Sequence, residues 1–348
     1  MNAFPSKFLS DNRKSAIQKR PRGPKWMEVF AIVVALTMCG ARGEAQQPKK
    51  VARIGFLGNT QSTFTIDMKT FRERLHGLGY IEGQNITIEY RSWEGKAERL
   101  PELAAEVVRL NCDVIVSAGT EAAEAAKSAT KTVPVVMVFG ADAVRLGIVA
   151  DLARPGGNVT GLTSISSELI GKRLELLKEV IPKLSRVGFL WSPSNPDADY
   201  NVKEAETVGR SLRLGVQSLE VKGPDDIEGV FEVATKRRAG ALLMSGGGFF
   251  AFHQKRLIEL AAKSRLPAMY NNIRYVEAGG LMTYAEDRAY QYRRAAEYVD
   301  KILKGAKPAD LPVERSKKFE FVVNLKTAKQ IGLTIPPNVL VRADRVIK

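Results

Sequence analysis

Histidine and cysteine are almost absent from this chain, which has two of each in 348 residues. A Cys-His nucleophile pair or a histidine-built metal site would have to be assembled from His76, His253, Cys39 and Cys112 alone. No HExxH, CxxC, GxSxG or P-loop pattern occurs. Gly246-Gly247-Gly248 and the pair Gly55 and Gly58 both lack the GxGxxG spacing of a dinucleotide loop. These absences argue against an enzyme and against a cofactor or metal. Paired carboxylates leave hydrolysis open, because Asp and Glu are plentiful. Long apolar runs are also missing: the stretch Val29 to Cys39 is too short for the about 20 residues that cross a bilayer. The chain carries +15 net charge, yet its Lys and Arg lie among Asp and Glu along helical stretches, with no dense run beside aromatics. That pattern is a solvated mixed surface, and it argues against a nucleic-acid partner.

The strongest local signal lies at the start. Residues 1 to 28 hold Lys7, Arg13, Lys14, Lys19, Arg20, Arg22 and Lys25 against Asp11 and Glu28, and the short apolar run follows. This is the layout of an export signal, with Gly43-Glu44-Ala45 offering small residues to a signal peptidase. We expect residues 1–45 to be a signal peptide cleaved after Ala45. Met38 is bulky before Cys39, which argues against a lipid anchor there. The leader has eight Lys/Arg against three Asp/Glu, a net +5, so +10 of the +15 stays with the exported part. Only Cys112 remains in that part, so no internal disulfide is available and a packed core must hold it.

Arg53-Ile54-Gly55-Phe56-Leu57 returns 133 positions later as Arg186-Val187-Gly188-Phe189-Leu190. Each copy is a short apolar run that ends in turn formers, as a buried parallel strand does. From Ala52 onward such runs alternate with amphipathic segments, which predicts an α/β fold of two Rossmann-like lobes, each a parallel sheet flanked by helices. Strands are expected near Ala52 to Leu57, Ile86 to Tyr90, Val114 to Ser117, Val135 to Phe139, Arg186 to Trp191, Gln217 to Val221, Ala241 to Met244 and Ala268 to Tyr270. Pro224-Asp225 with Glu228 reads as a capped helix start. A long helix near Asp287 to Leu303 should cross back to the first lobe. The expected division is 46–162 plus about 284–312 for one lobe and 163–283 plus about 313–348 for the other, joined by a multi-crossover hinge.

Open α/β sheets bind ligands at the C-terminal ends of their strands. There the first lobe offers Asn59 and Thr60, Ser117 and Thr120, and Asp142, and the second offers Asn195, Ser245 and Asn271, with Tyr284 near the hinge. Thr120 suits a helix cap and a ligand anion, Asp142 suits a ligand ammonium group, and Asn271 as a buried amide would need partners. These nine residues are the candidate ligand contacts. A solute-binding protein, a ligand-sensing partner of a receptor and a periplasmic hydrolase all fit this outline.

Longer strings carry a resemblance. Gly79-Tyr80-Ile81-Glu82-Gly83-Gln84-Asn85-Ile86, Leu152-Ala153-Arg154-Pro155-Gly156-Gly157-Asn158-Val159-Thr160-Gly161-Leu162 and Lys172-Arg173-Leu174-Glu175-Leu176-Leu177-Lys178 resemble the ABC transporter substrate-binding protein family that includes tryptophan- and tyrosine-binding members. Ile302 to Glu314 and Asn324 to Lys329 extend the likeness to the C-terminus. The resemblance implies a type I periplasmic-binding-protein fold, a periplasmic monomer, a small ligand clamped between lobes, and delivery to an inner-membrane ABC permease driven by a separate ATPase. The family's known ligands are mostly aromatic amino acids, and an amino acid or related zwitterion is the expected solute. Two departures stand out: Gly140-Ala141-Asp142-Ala143 where the family usually has Gly-Asp-Pro, and Thr283-Tyr284-Ala285 where it usually has Ser-Tyr-Gly. Both fall in the expected ligand zone and leave room for a different ligand.

Overall fold

Continuous apolar runs become strands covered on both faces, and period-3.6 runs become the helices that cover them. The computed structural model describes residues 51–59 and 61–348; the expected signal peptide, its cleavage point and Thr60 lie outside the described residues. The order begins β1 (Ala52–Gly58), α1 (Gln61–Gly77), β2 (Ile86–Ser92), α2 (Leu100–Arg109), β3 (Val114–Ala118), α3 (Thr120–Ala129), β4 (Val135–Phe139) and β5 (Val159–Thr163). It continues with α4 (Leu169–Val180), β6 (Arg186–Trp191), α5 (Ala198–Ser211), β7 (Gly215–Glu220), α6 (Asp226–Lys236), β8 (Ala241–Met244), α7 (Gly248–Phe252), α8 (Gln254–Lys263), β9 (Ala268–Tyr270), α9 (Ile273–Glu277) and β10 (Met282–Glu286). The last part is α10 (Arg288–Leu303), β11 (Glu314–Arg315), β12 (Phe319–Asn324), α11 (Leu325–Ile331), α12 (Pro337–Leu340) and β13 (Arg345–Ile347).

Two sheets result. The first runs β2-β1-β3-β4-β5-β11, all parallel, and the second runs β7-β6-β8-β9-β10-β12-β13, parallel except where β12 meets β10. The repeated pentapeptides are β1 and β6, at equivalent places: each is flanked by the strand that follows it and the next one after. The glycine of each copy admits a neighbour. A Cβ on Gly55 would overlap Val107 of α2, and one on Gly188 would lie 2.7 Å from Leu219 and 2.9 Å from Leu242. In α2, Leu100, Leu103, Ala104 and Val107 form the buried stripe, each larger side chain worth roughly 1.5–3 kcal/mol of burial, and Pro101 stands in the first turn where its missing N–H costs nothing.

Sheet membership shows which elements stand on either side of each crossing. Tyr284 lies in β10 of the second sheet, while Tyr292, Ala295, Ala296 and Val299 of α10 pack into the first core. The chain therefore passes from the first sheet to the second between β5 and β6, back between β10 and β11, and over again between β11 and β12. The cap expected at Pro224-Asp225 forms differently: Asp226 Oδ2 accepts from the N–H groups of Lys222 and Gly223, while Glu228 pairs with Arg256. Among the described residues no helix is long and apolar enough to cross a membrane.

Candidate ligand-binding cleft

The C-terminal ends of the two sheets face each other across a cavity of about 170 Å³. The first lobe contributes an aromatic wall. Phe56 stacks with Tyr292 at 6.4 Å between ring centres, Tyr90 lies 5.7 Å from Phe56, and Phe139 lies 6.2 Å from Tyr292. Arg288 lays its guanidinium 3.4 Å from the Phe139 ring centre. Phe56, Tyr90, Phe139, Arg288 and Tyr292 all line the cavity. The second lobe answers with amides and hydroxyls: Asn195, Asn201, Ser245, Asn271, Asn272 and Gln254. Asn195 is locked, its Nδ2 donating to Gly246 O at 3.0 Å and its Oδ1 accepting from Asp197 N at 3.0 Å. Asn272 caps α9 by accepting from Arg274 N at 3.0 Å. Asn201 is 5% exposed and its Oδ1 has no hydrogen-bond partner, so it is the acceptor on this wall that the protein itself leaves unused.

The lobes touch over the cavity at two places. On one side the backbone of Gly248 is held at both ends: Asn59 Nδ2 donates to Gly248 O at 2.7 Å, and Gly248 N donates to Glu121 Oε1 at 3.1 Å. The indole of Trp93 packs on the same residue, where a Cβ would overlap the ring. On the other side Arg145, from the loop after β4, pairs with Asp197 and sits 4.5 Å over the Tyr200 ring centre. These bonds join opposite lobes, so the structure is a closed cleft.

The hinge is built from the crossings themselves. Glu286 accepts from Ser164 Oγ at 2.6 Å and Ile165 N at 2.9 Å, which ties the first crossing to the second, and from Gln291 Nε2 at 3.2 Å. Asp287 N donates to Lys318 O at 2.9 Å and binds the third. Arg173, only 2% exposed, donates to Tyr284 O, Ser166 O and Ser166 Oγ and faces Glu286. Desolvation pushes its guanidinium down to about 10, opposed by the Glu286 charge, so it stays a cation at neutral pH. It braces the hinge and borders the cavity together.

Of the expected contacts, Asn59, Thr120, Asn195, Ser245 and Asn271 line the cavity. Thr120 does not cap its helix, because Gly119 holds that position; its Oγ1 accepts from Ala141 N at 2.8 Å and ties α3 to the loop after β4. Three others are placed elsewhere. Ser117 is fully buried inside β3, one residue short of the cavity, which Ala118 reaches. Asp142 turns back on its own loop, Oδ1 accepting from the N–H groups of Val144 and Arg145 at 3.1 Å each, because a short acid in a turn finds backbone donors first. Tyr284 stacks on Phe319 at 6.2 Å and offers only its carbonyl, to Arg173. Thr60 lies outside the described residues. Trp93, Glu121, Arg173, Asn201, Glu286 and Arg288 were not singled out from sequence. Trp93 and Glu121 follow strand ends, so the same rule reaches them; the others lie on helices or in the hinge, where only tertiary packing brings them to the cavity.

Among the described residues no group of three His, Cys, Asp or Glu side chains is placed to hold a metal ion. Similar proteins share the architecture. A structure from Streptococcus pneumonia described as an ABC domain in complex with L-Trp is 28% identical, covers 85% of this chain and 99% of its own, and superposes with a TM-score of 0.77. A conserved domain protein from Vibrio cholerae is 26% identical over 85% of this chain and 100% of its own, at a TM-score of 0.80. A tyrosine-binding protein of Clostridioides difficile is 24% identical across 265 residues, 76% of each chain. The family model described as ABC transporter substrate binding protein matches residues 61–347, which takes in every strand of both sheets except β1, and the hinge. That family consists of binding proteins rather than enzymes. With this match over both lobes, the chain belongs to the ABC transporter substrate-binding protein family.

Proposed function

We propose that this protein captures a small aromatic solute, an amino acid or related zwitterion, in its closed cleft outside the cytoplasm and hands it to the permease of an ABC importer. The observation that supports this reading is the pairing of an aromatic wall on one lobe with an amide and hydroxyl wall on the other, sealed by bonds between the lobes. Aromatic side chains hold an apolar ring, and the opposed polar groups orient whatever charged tail it carries. The size is in keeping with a ring-bearing solute: a cavity of about 150 Å³ accepts a benzene ring in a protein interior, and this one is about 170 Å³. The relatives that carry L-tryptophan or are named for tyrosine support the same class. The leader pattern at residues 1–45 supports export, and a single exported chain with one complete cleft supports a monomer.

The geometry supports delivery. A ligand that bridges the two walls stabilises the closed lobes, so binding and closure are one equilibrium, and the permease has a shape to read. Thermal unfolding of residues 46–348, refolded to strip carried-over ligand, should shift upward with Trp, Tyr or Phe. At 100 times the dissociation constant the gain is about 2.7 kcal/mol. Silence with all three, alongside a shift from a non-aromatic solute, would overturn the aromatic assignment.

A further inference from the structure

Of the three carboxylates that line the cavity, two are answered by a cation among the described residues and one is not. Glu286 is held by Ser164, Ile165 and Gln291 and faces Arg173, and Asp197 is paired with Arg145. Glu121, in the first turn of α3, lines the same cavity and has no Lys, Arg or His paired with it among the described residues. The charged neighbour that acts on it is Glu124, of like sign. Its one bond from the opposite lobe, Gly248 N to Oε1, leaves Oε2 unoccupied by that contact. A carboxylate taken from water without a cation is strongly disfavoured. In the closed cleft Oε2 is thus answered by a proton or by a cation on the ligand, since no Lys, Arg or His among the described residues is paired with it.

The surroundings say what carries that charge. A Cβ placed on Gly119 would lie 3.4 Å from Glu121 Oε2 and 3.9 Å from Phe139 Cε2, so the carboxylate and the aromatic wall flank one point that the glycine keeps open. We infer that Glu121 is the residue that selects the ligand's charge, its Oε2 taking a protonated nitrogen attached to a ring seated on the Phe139 side, while its Oε1 fastens the opposite lobe through Gly248. One carboxylate then serves as ligand contact and closing contact. A ligand without the cation leaves the Glu121 carboxyl to be held by a proton instead. Desolvation raises the Glu121 carboxyl above its ordinary range, which favours the neutral acid until a cation sits beside it. This inference rests on the aromatic-solute reading for the ring and on Glu121 alone for the charge.

The two parts separate in one titration experiment on residues 46–348. L-tryptophan is compared with indole-3-propionate, and L-tyrosine with its deaminated acid; each pair differs only in the ammonium group. Loss of that group should weaken binding at least tenfold in the native protein and less than threefold in Glu121→Gln. Equal affinity within a pair for the native protein, or undiminished discrimination in Glu121→Gln, would overturn the role of Glu121. Should the variant not fold, the native pairs alone decide. Agmatine, a cation without a ring, tests the other half: binding of agmatine with none of the aromatic probes would overturn the ring and uphold Glu121, and binding confined to non-aromatic anions would overturn both.

Discussion

The two lobes use the same backbone turn at equivalent places and fill it with opposite chemistry. Gly119 follows β3 with φ 119° and ψ 162° and starts α3; Gly247 follows β8 with φ 122° and ψ 153° and starts α7. Both need glycine, since an L side chain is strained at those angles. The next residues diverge. The first lobe places Thr120 and Glu121 there, two side chains rich in acceptors, whereas the second places Gly248, whose bare backbone offers one donor and one acceptor. The turns meet across the cleft, acceptor side chain to naked amide. Duplicated architecture thus supplies the positions, and the unlike residues make one lobe grip the other.

Removing that asymmetry should have the largest effect. Gly248→Ala puts a methyl group into the Trp93 ring only when the lobes are closed. Overpacking of this kind costs about 1–3 kcal/mol, and each 1.4 kcal/mol is about tenfold, so ligand affinity should fall by up to about a hundredfold with ligand-free thermal stability unchanged. Adding Trp93→Leu should recover most of the loss, whereas full affinity in the single variant would show that this seam is not part of the bound state. The opposite seam is worth less. Arg145 is 32% exposed, so Arg145→Ala forfeits a screened pair and opens a path by which water reaches the Asp197 carboxylate, at about 1 kcal/mol and roughly fivefold in affinity by calorimetry. Asp142→Ala should be smallest, under about threefold, because its carboxylate only shapes the turn that presents Arg145. Its effect should vanish in the Arg145→Ala background; a tenfold loss that persists there would make Asp142 a ligand contact after all.

The sheets were legible because buried parallel strands write themselves as unbroken apolar runs, and β1, β3, β4, β6, β8 and β9 stand within a residue or two of their expected ends. The short α7 and α9, by contrast, have five residues each, too few to show a helical period. The strand-end rule reached Asn59, Thr120, Asn195, Ser245 and Asn271. It also offered Ser117, Asp142 and Tyr284, which do not line the cavity, because burial within β3, local backbone bonding and a neighbouring ring hold those side chains. Arg173 was illegible for another reason: in Lys172 to Lys178 it reads as one more cation on an amphipathic helix, and only its three acceptors in the folded hinge explain its burial.

Trp93 has a value apart from affinity. Two tryptophans lie among the described residues, Trp93 at the seam with 2% exposure and Trp191 in the second lobe, where its Nε1 donates to Ser218. Opening the cleft should uncover the edge of the Trp93 indole that Gly248 covers, while Trp191 keeps its neighbours. The molecule thus carries its own optical gauge and its own reference, and intrinsic fluorescence can follow each closing event in real time without an attached dye.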